Sequence, residues 1–259
     1  MLLLTRNLAY LTGLLLTGVS HGALTVYVSP NDIESAEDSG IVNPSSGVAF
    51  TEDFNSLPLG SIDGYVSPTT GVTYNAASSG NVQANDQYGG DNEGNYLGIA
   101  ANTSTTLTLA NPAEYFGFYF TAGDANNRIQ ILSGGVVILD FSTQTLIDLL
   151  PRGAGNTVTA LDGNNYFTDD YYGQPVTGNN GNEPYAYLHF AGTGGTTFDE
   201  IILSQTVSAI FENDNHSILD VGPSIPLSFV AVQSVPELGT SWLSIIAFAG
   251  FLGIRRRGA

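Results

Sequence analysis

Cysteine and lysine are both missing from the 259 residues. Without cysteine there are no disulfides and no thiol nucleophile, so the fold must rely on its core. Without lysine the six basic residues are all arginines, against 24 acidic ones. Histidine is scarce too: His21, His189 and His216. Two separated histidines in the body, with no His-x-x-x-His pair, argue against a zinc centre. No Gly-x-Ser-x-Gly elbow occurs, which removes the usual serine-hydrolase signature. Gly153-Ala154-Gly155 reads as a turn, because no dinucleotide-type helix pattern follows it. Long apolar runs are confined to the two ends of the chain.

Those ends carry the clearest information. Arg6 precedes an apolar stretch from Leu8 to Val19, followed by the small residues Ser20, Gly22 and Ala23. A positive start, a short apolar core and a small-residue exit make a secretory signal peptide, residues 1–23, with cleavage expected after Gly22 or Ala23. At the other end, residues 238–254 are 17 positions without a charge. As a helix they would span roughly 25 Å, near the lower limit for crossing a bilayer. Trp242 suits one headgroup boundary, and Arg255, Arg256 and Arg257 favour the cytoplasmic side. The preceding body is therefore expected outside the inner membrane.

The tail 235–259 resembles the PEP-CTERM sorting signal of Gram-negative bacteria that make extracellular polysaccharide. Val235, Pro236 and Glu237 stand at the motif, with Leu238 where a second proline is usual, then the apolar helix and Arg255–Arg257. The resemblance implies an exosortase as partner, a secretion machinery, a transient inner-membrane anchor and delivery to the cell surface or matrix. A Gram-positive sortase substrate shares this layout but needs Leu-Pro-x-Thr-Gly, which is absent.

Of the acidic residues only Glu237 lies in the tail, so the body holds 23 carboxylates against Arg128 and Arg152, a formal charge of 21 negative. Such a body repels nucleic acid and anionic membranes. It attracts divalent cations or simply stays soluble. Its apolar residues come in short clusters with a period of two. Tyr115–Phe120 is a strongly aromatic strand. Residues 128–132 and 136–141 flank Gly134-Gly135 as a hairpin. Residues 104–110, 185–190, 198–203, 209–211 and 217–221 read as further strands. Residues 145–150 suggest a helix that Pro151 ends. The pattern predicts an all-β fold, a single antiparallel β-sandwich of jelly-roll type, over residues 24–222. Residues 33–44 read as a loose polar loop, and 223–234 as a spacer, partly strand.

The long loops 76–95 and 162–183 are the expected places for function. Their oxygen-rich clusters suit calcium: Asp86, Asp91, Asn92 and Glu93 in one, Asp162, Asn164, Asn165, Asp169 and Asp170 in the other. The alternative is solvated turns. Tyr88, Tyr96, Tyr166, Tyr171 and Tyr172 are candidates to stack on sugar rings, or else to cover the ends of the core. Carboxylates are too numerous for spacing to select a glycosidase pair.

The body is also similar to a large group of PEP-CTERM proteins, through Phe54, the Tyr115–Phe120 strand with Asp124 and Asn127, Phe198-Asp199 and the Phe211–Asn215 segment. That likeness implies a jelly-roll body, closed by the Phe211–Asn215 segment and related in shape to carbohydrate-binding modules. It adds Asp199 and Asp214 as calcium candidates. Two functions are thus expected. One is a noncatalytic exported surface or matrix protein associated with exopolysaccharide. The other is a calcium-dependent carbohydrate-binding module acting in adhesion or biofilm.

Overall fold

The computed structural model describes residues 23–43, 50–84, 94–174 and 177–236. The leader, residues 237–259 with the apolar run and Arg255–Arg257, and the cluster Asp86, Tyr88, Asp91, Asn92 and Glu93 lie outside the described residues. Among the described residues no helix is long and apolar enough to cross a membrane.

The strands are β1 (Ala23–Val28), β2 (Thr51–Glu52), β3 (Gly60–Ser61), β4 (Thr73–Asn75), β5 (Gly80–Ala84), β6 (Asn95–Ile99), β7 (Thr103–Ala113), β8 (Tyr115–Thr121), β9 (Asn127–Ser133) and β10 (Val136–Ser142). After helix α1 (Thr143–Leu149) come β11 (Thr157–Thr159), β12 (Asn165–Phe167), a 3₁₀ turn (Thr168–Tyr171), β13 (Ala186–Thr193), β14 (Phe198–Gln205), β15 (Phe211–Leu219) and β16 (Val230–Pro236). The fold is all-β, and its strands pair antiparallel. One large sheet runs β16-β1-β13-β8-β15-β6-β5-β3, with β2 on β15; a smaller one runs β10-β9-β14-β7-β4. Their inner faces share one apolar core, which makes the architecture sandwich-like.

Local chemistry explains the elements. The β9–β10 turn is Gly134-Gly135, both at positive φ (56° and 78°), as a two-residue turn between right-twisted strands requires. The carboxylate of Asp199 accepts from Gly134 N at 3.1 and 3.2 Å and fixes that turn from β14. Ser142 caps α1 by accepting from Gln144 N, and Pro151 follows the helix.

β8 shows why the centre is so aromatic. All seven of its residues are buried. Phe116, Phe118 and Phe120 point into the core between the sheets. Phe118 stacks on Phe190 of β13 with centroids 6.0 Å apart. Tyr115 and Tyr119 point the other way, into a second apolar cluster with Tyr185, Tyr187, Phe229, Ala36, Ile41 and Phe50. The large sheet is therefore covered on both faces. Residues 33–43 of the loop expected to be loose form part of that cover: Ala36 and Ile41 are buried, and the Glu37 carboxylate accepts from Phe50 N and Thr51 Oγ1.

Two further expectations need correction. Residues 209–211 and 217–221 were expected as separate strands, yet β15 runs unbroken from Phe211 to Leu219. Its polar middle is buried and paired, with a register shift against β8 between Asp214 and Ser217. Asn215 sits in that bulge at φ 50°, which asparagine tolerates; its side chain donates to Glu34 O at 2.8 Å, and its own carbonyl accepts from Tyr187 Oη at 2.9 Å. The Phe211–Asn215 segment does not close the fold. β16 follows, adding an edge strand beside β1 from within the expected spacer.

Candidate functional site

A concavity among the described residues lies over β5, β6 and β15, where the loops after β8 and before β13 meet. It is an open groove of about 320 Å³. Gln83 on β5 and Tyr96 on β6 are direct cross-strand partners. Glu212 comes from β15, which pairs with β6 on one side and β8 on the other. Asp124 and Glu183 enter from the two loops, and Ile210 forms an apolar rim, 43% exposed.

Buried hydrogen bonds set the floor. The Tyr96 ring is 2% exposed; its hydroxyl lies 2.9 Å from Gln83 Oε1 and 3.5 Å from Glu212 Oε1. Gly98 on β6 leaves room for the Gln83 amide, which a Cβ there would strike. Asp124 is held by Asn126 N at 2.6 Å and by Gln205 Nε2 at 3.0 Å. Glu183 titrates above the usual carboxylate range, first through burial and then through the Asp124 charge. The groove thus offers carboxylate and amide acceptors beside a small apolar wall. Hydroxyl-rich neutral ligands match that surface better than anions do.

The proposed calcium residues are not gathered. Asp162 closes the turn between β11 and β12, accepting from Asn164 N at 2.9 Å and from Asn164 Nδ2 at 2.8 Å. Asp169, in the 3₁₀ turn, accepts from Gly153 N at 2.9 Å. Asp199 serves the β9–β10 hairpin on the small sheet, and Asp214 is 1% exposed inside β15, bonded to Asn215 N at 2.8 Å. Among the described residues no three histidine, aspartate or glutamate side chains come together as a metal-holding group. Asp162, Asp169, Asp199 and Asp214 each accept from a backbone N–H and so tie down local turns.

The tyrosines are also differently placed. Tyr96 and Tyr171, 2% and 1% exposed, are not platforms for sugar stacking. Tyr171 donates to Ser29 O at 2.9 Å. Tyr172 is half-buried, donates to Leu150 O at 2.7 Å and carries the Arg152 guanidinium 5.1 Å above its ring. Tyr166 packs partly against the core. Tyr88 lies outside the described residues. Of the five, Tyr96 alone lines the groove, from beneath. Gln83, Asp124, Glu183 and Glu212 were not among the expected site residues. The sequence does not mark them as one site, since four segments supply them.

One contact has the form of a nucleophile and its base. Ser29 Oγ lies 2.6 Å from His189 Nε2. Both residues are 0% exposed, and the other ring nitrogen meets the Tyr115 hydroxyl at 2.8 Å rather than a carboxylate. Burial pushes His189 well below its ordinary value and keeps it neutral. Phe229 covers the ring, centroids 4.1 Å apart. No substrate reaches this pair; it satisfies polar groups in the second cluster.

Fold and groove together define an acidic, all-β, sandwich-like body with a polar concavity at one end of its large sheet. No family model, no curated protein and no solved structure matches the chain.

Proposed function

We propose that the chain is a noncatalytic exported protein of the cell surface or extracellular matrix, associated with exopolysaccharide. Its leader takes it across the inner membrane. Residues 238–254 and Arg255–Arg257 hold it there, and an exosortase-type enzyme sorts it through Val235, Pro236 and Glu237. The observation that carries this reading is the fit between body and signals. β1 holds Ala23 and β16 holds Val235 and Pro236, paired in one sheet, so the folded body includes residues of both the expected leader and the sorting motif. The charge of the body and the burial of its Ser29–His189 pair support an exterior, noncatalytic role.

The absence of native cysteine makes the test direct. A single cysteine at Ser204, on the half-buried outer face of β14, should react with a membrane-impermeant maleimide on intact spheroplasts. One at Gly258 should react only after permeabilisation. Equal labelling of both on intact spheroplasts defeats the reading.

The groove favours a second reading, a carbohydrate-binding module of jelly-roll type acting in adhesion or biofilm. Its acceptors suit sugar hydroxyls. A glycan array probed with wild type and Glu183→Ala decides it: a signal that the substitution abolishes supports this reading, and silence from the wild type removes it.

A further inference from the structure

The small sheet β11–β12 presents an uncharged outer face, none of whose residues lines the groove. Thr157 stands opposite Phe167, and Thr159 opposite Asn165. Exposure alternates along both strands. Val158 and Tyr166 pack inward on the core and anchor the sheet. Thr157, Thr159 and Leu161 are exposed in one phase, with Asn165 and Phe167 exposed across from them. Phe167 is 56% exposed. Leu227, also exposed, lies alongside, because its carbonyl accepts from Asp162 N at 2.8 Å. Backbone bonds fix both ends of the face: Thr168 N donates to Asn156 O at 3.0 Å, and Leu161 N to Phe229 O at 2.9 Å. Thr159 Oγ1 donates to Asn165 Oδ1 at 2.8 Å. The Asn165 N–H pair and the Thr157 hydroxyl have no partner among the described residues.

The face therefore carries one flat ring, free hydroxyl and amide groups beside it, and an aliphatic end. A sugar chain has the complementary chemistry: its C–H faces lie on an aromatic surface, and its hydroxyls pair with amides and hydroxyls. From Thr157 to Leu161 the face runs about 13 Å, long enough for more than one sugar ring. Phe167, Leu161 and Leu227 together expose on the order of 300 Å², well below the ~800 Å² per partner of a stable protein interface. The body holds 23 carboxylates against two arginines, and Asp169 and Asp170 follow Phe167 directly in the 3₁₀ turn. That field works against a chain rich in uronates. We propose, on the reading that the protein associates with exopolysaccharide, that an extended neutral polysaccharide lies along the β11–β12 face. Phe167 is the stacking platform, and Thr157 and Asn165 are the hydrogen-bonding groups beside it. Tyr171 and Tyr172 of the same loop turn inward, where carbonyls accept their hydroxyls; the phenylalanine stays out. The site sits on paired strands packed against the core, so binding orders little that is not already fixed.

The test is affinity electrophoresis of the full chain in mild detergent, through gels holding galactomannan, hydroxyethyl cellulose, alginate or exopolysaccharide from the native host. Wild type runs beside Phe167→Ala, Phe167→Tyr, Thr157→Glu and Glu183→Ala. The expected result is retardation of the wild type by a neutral polymer and none by alginate. Phe167→Ala should weaken that binding about tenfold, as loss of an aromatic anchor does. Phe167→Tyr should keep it. Thr157→Glu, which sets a charge opposite the ring, should weaken it as well and decides the matter even where Phe167→Ala fails to fold. Retardation unchanged in Phe167→Ala and Thr157→Glu but lost in Glu183→Ala overturns this face and leaves the exopolysaccharide reading standing on the groove. A wild type that no polymer retards, the native one included, overturns the face and that reading together. Retardation by alginate alone overturns the neutral ligand. Dimerisation in sedimentation that Phe167→Ala abolishes gives the face to a second copy of the chain and overturns the proposal.

Discussion

The two body histidines make stability depend on pH in a window where little else titrates. His216 is fully buried. Asn213 Oδ1 lies 2.7 Å from its Nε2, so that nitrogen carries the proton and donates; Nδ1, 3.1 Å from Tyr74 Oη, accepts. Phe54, Phe116 and Phe118 surround the ring edge-on, with centroids 5.1 to 6.2 Å away. Burial lowers its pKa to about 3, and that of His189 well below the ordinary value. In the unfolded chain both titrate near 6.5. Between those values the unfolded state binds more protons, so stability is fully present above about pH 6.5 and is lost as pH falls toward the folded pKa. From pH 7 to pH 5 each histidine that stays neutral when folded costs about 1.9 kcal/mol, the pair about 4 kcal/mol. Ordinary carboxylates remain charged in both states over most of this range. Glu183, with its raised pKa, acts with the opposite sign, but its side chain faces solvent for much of its surface and offsets little. The assay is urea unfolding of residues 23–236 at both pH values. With a slope of about 2 kcal/mol per molar, the midpoint should drop by roughly 2 M at pH 5. Equal midpoints would refute the reasoning, as would folded-state imidazole resonances that titrate near pH 6.

Other perturbations report on packing and turns. Gly117 lies on β8 between two tyrosines, and a Cβ there would meet Tyr115 Oη and sit 2.8 Å from Tyr187 Cε1. Gly117→Ala should cost about 1–3 kcal/mol by overpacking, seen as a lower melting temperature with unchanged far-UV circular dichroism. Asp199→Ala leaves Gly134 N without its acceptor and should cost about 1 kcal/mol in urea unfolding. Asp140→Asn, which breaks an exposed ion pair with Arg128, should change the same measurement by less than about 1 kcal/mol. A larger loss from Asp140→Asn than from Asp199→Ala would invert that assignment.

The parts of the fold legible in the sequence were those whose signal is local. Gly134-Gly135 between two β-branched runs specifies a hairpin through backbone angles alone. The Tyr115–Phe120 run announces a strand, though its complete burial depends on Ala36, Ile41 and Phe229 arriving from elsewhere in the chain. The groove was not legible, because Gln83, Tyr96, Asp124, Glu183 and Glu212 meet only through tertiary pairing. Nor were the tyrosines of the polar loops readable as buried; Tyr171 goes inside because Ser29 O accepts its hydroxyl, 142 positions away.

The bounds of β15 and β16, which differ from those expected, share one cause. Alternation identifies a strand only while its phase is kept, and a bulge shifts the phase by one residue. In β15 the phase moves near Asn215, so Phe211 and His216, five positions apart, both reach the core between the sheets, while Ser217 and Leu219 turn to the other face. In β16 an extra residue opposite the Val26–Tyr27 step does the same. Val230 and Val232 keep a period of two, and then Val235, rather than Ser234, packs toward the core. Counted in twos, Ser234 would point inward and the segment would look too polar to belong to a sheet. Counted across the bulge, it is an apolar edge strand with Ser234 outside on Thr25. The bulge therefore decides which residues of β16 face the core, bringing Val235 to it while Ser234 stays outside on Thr25.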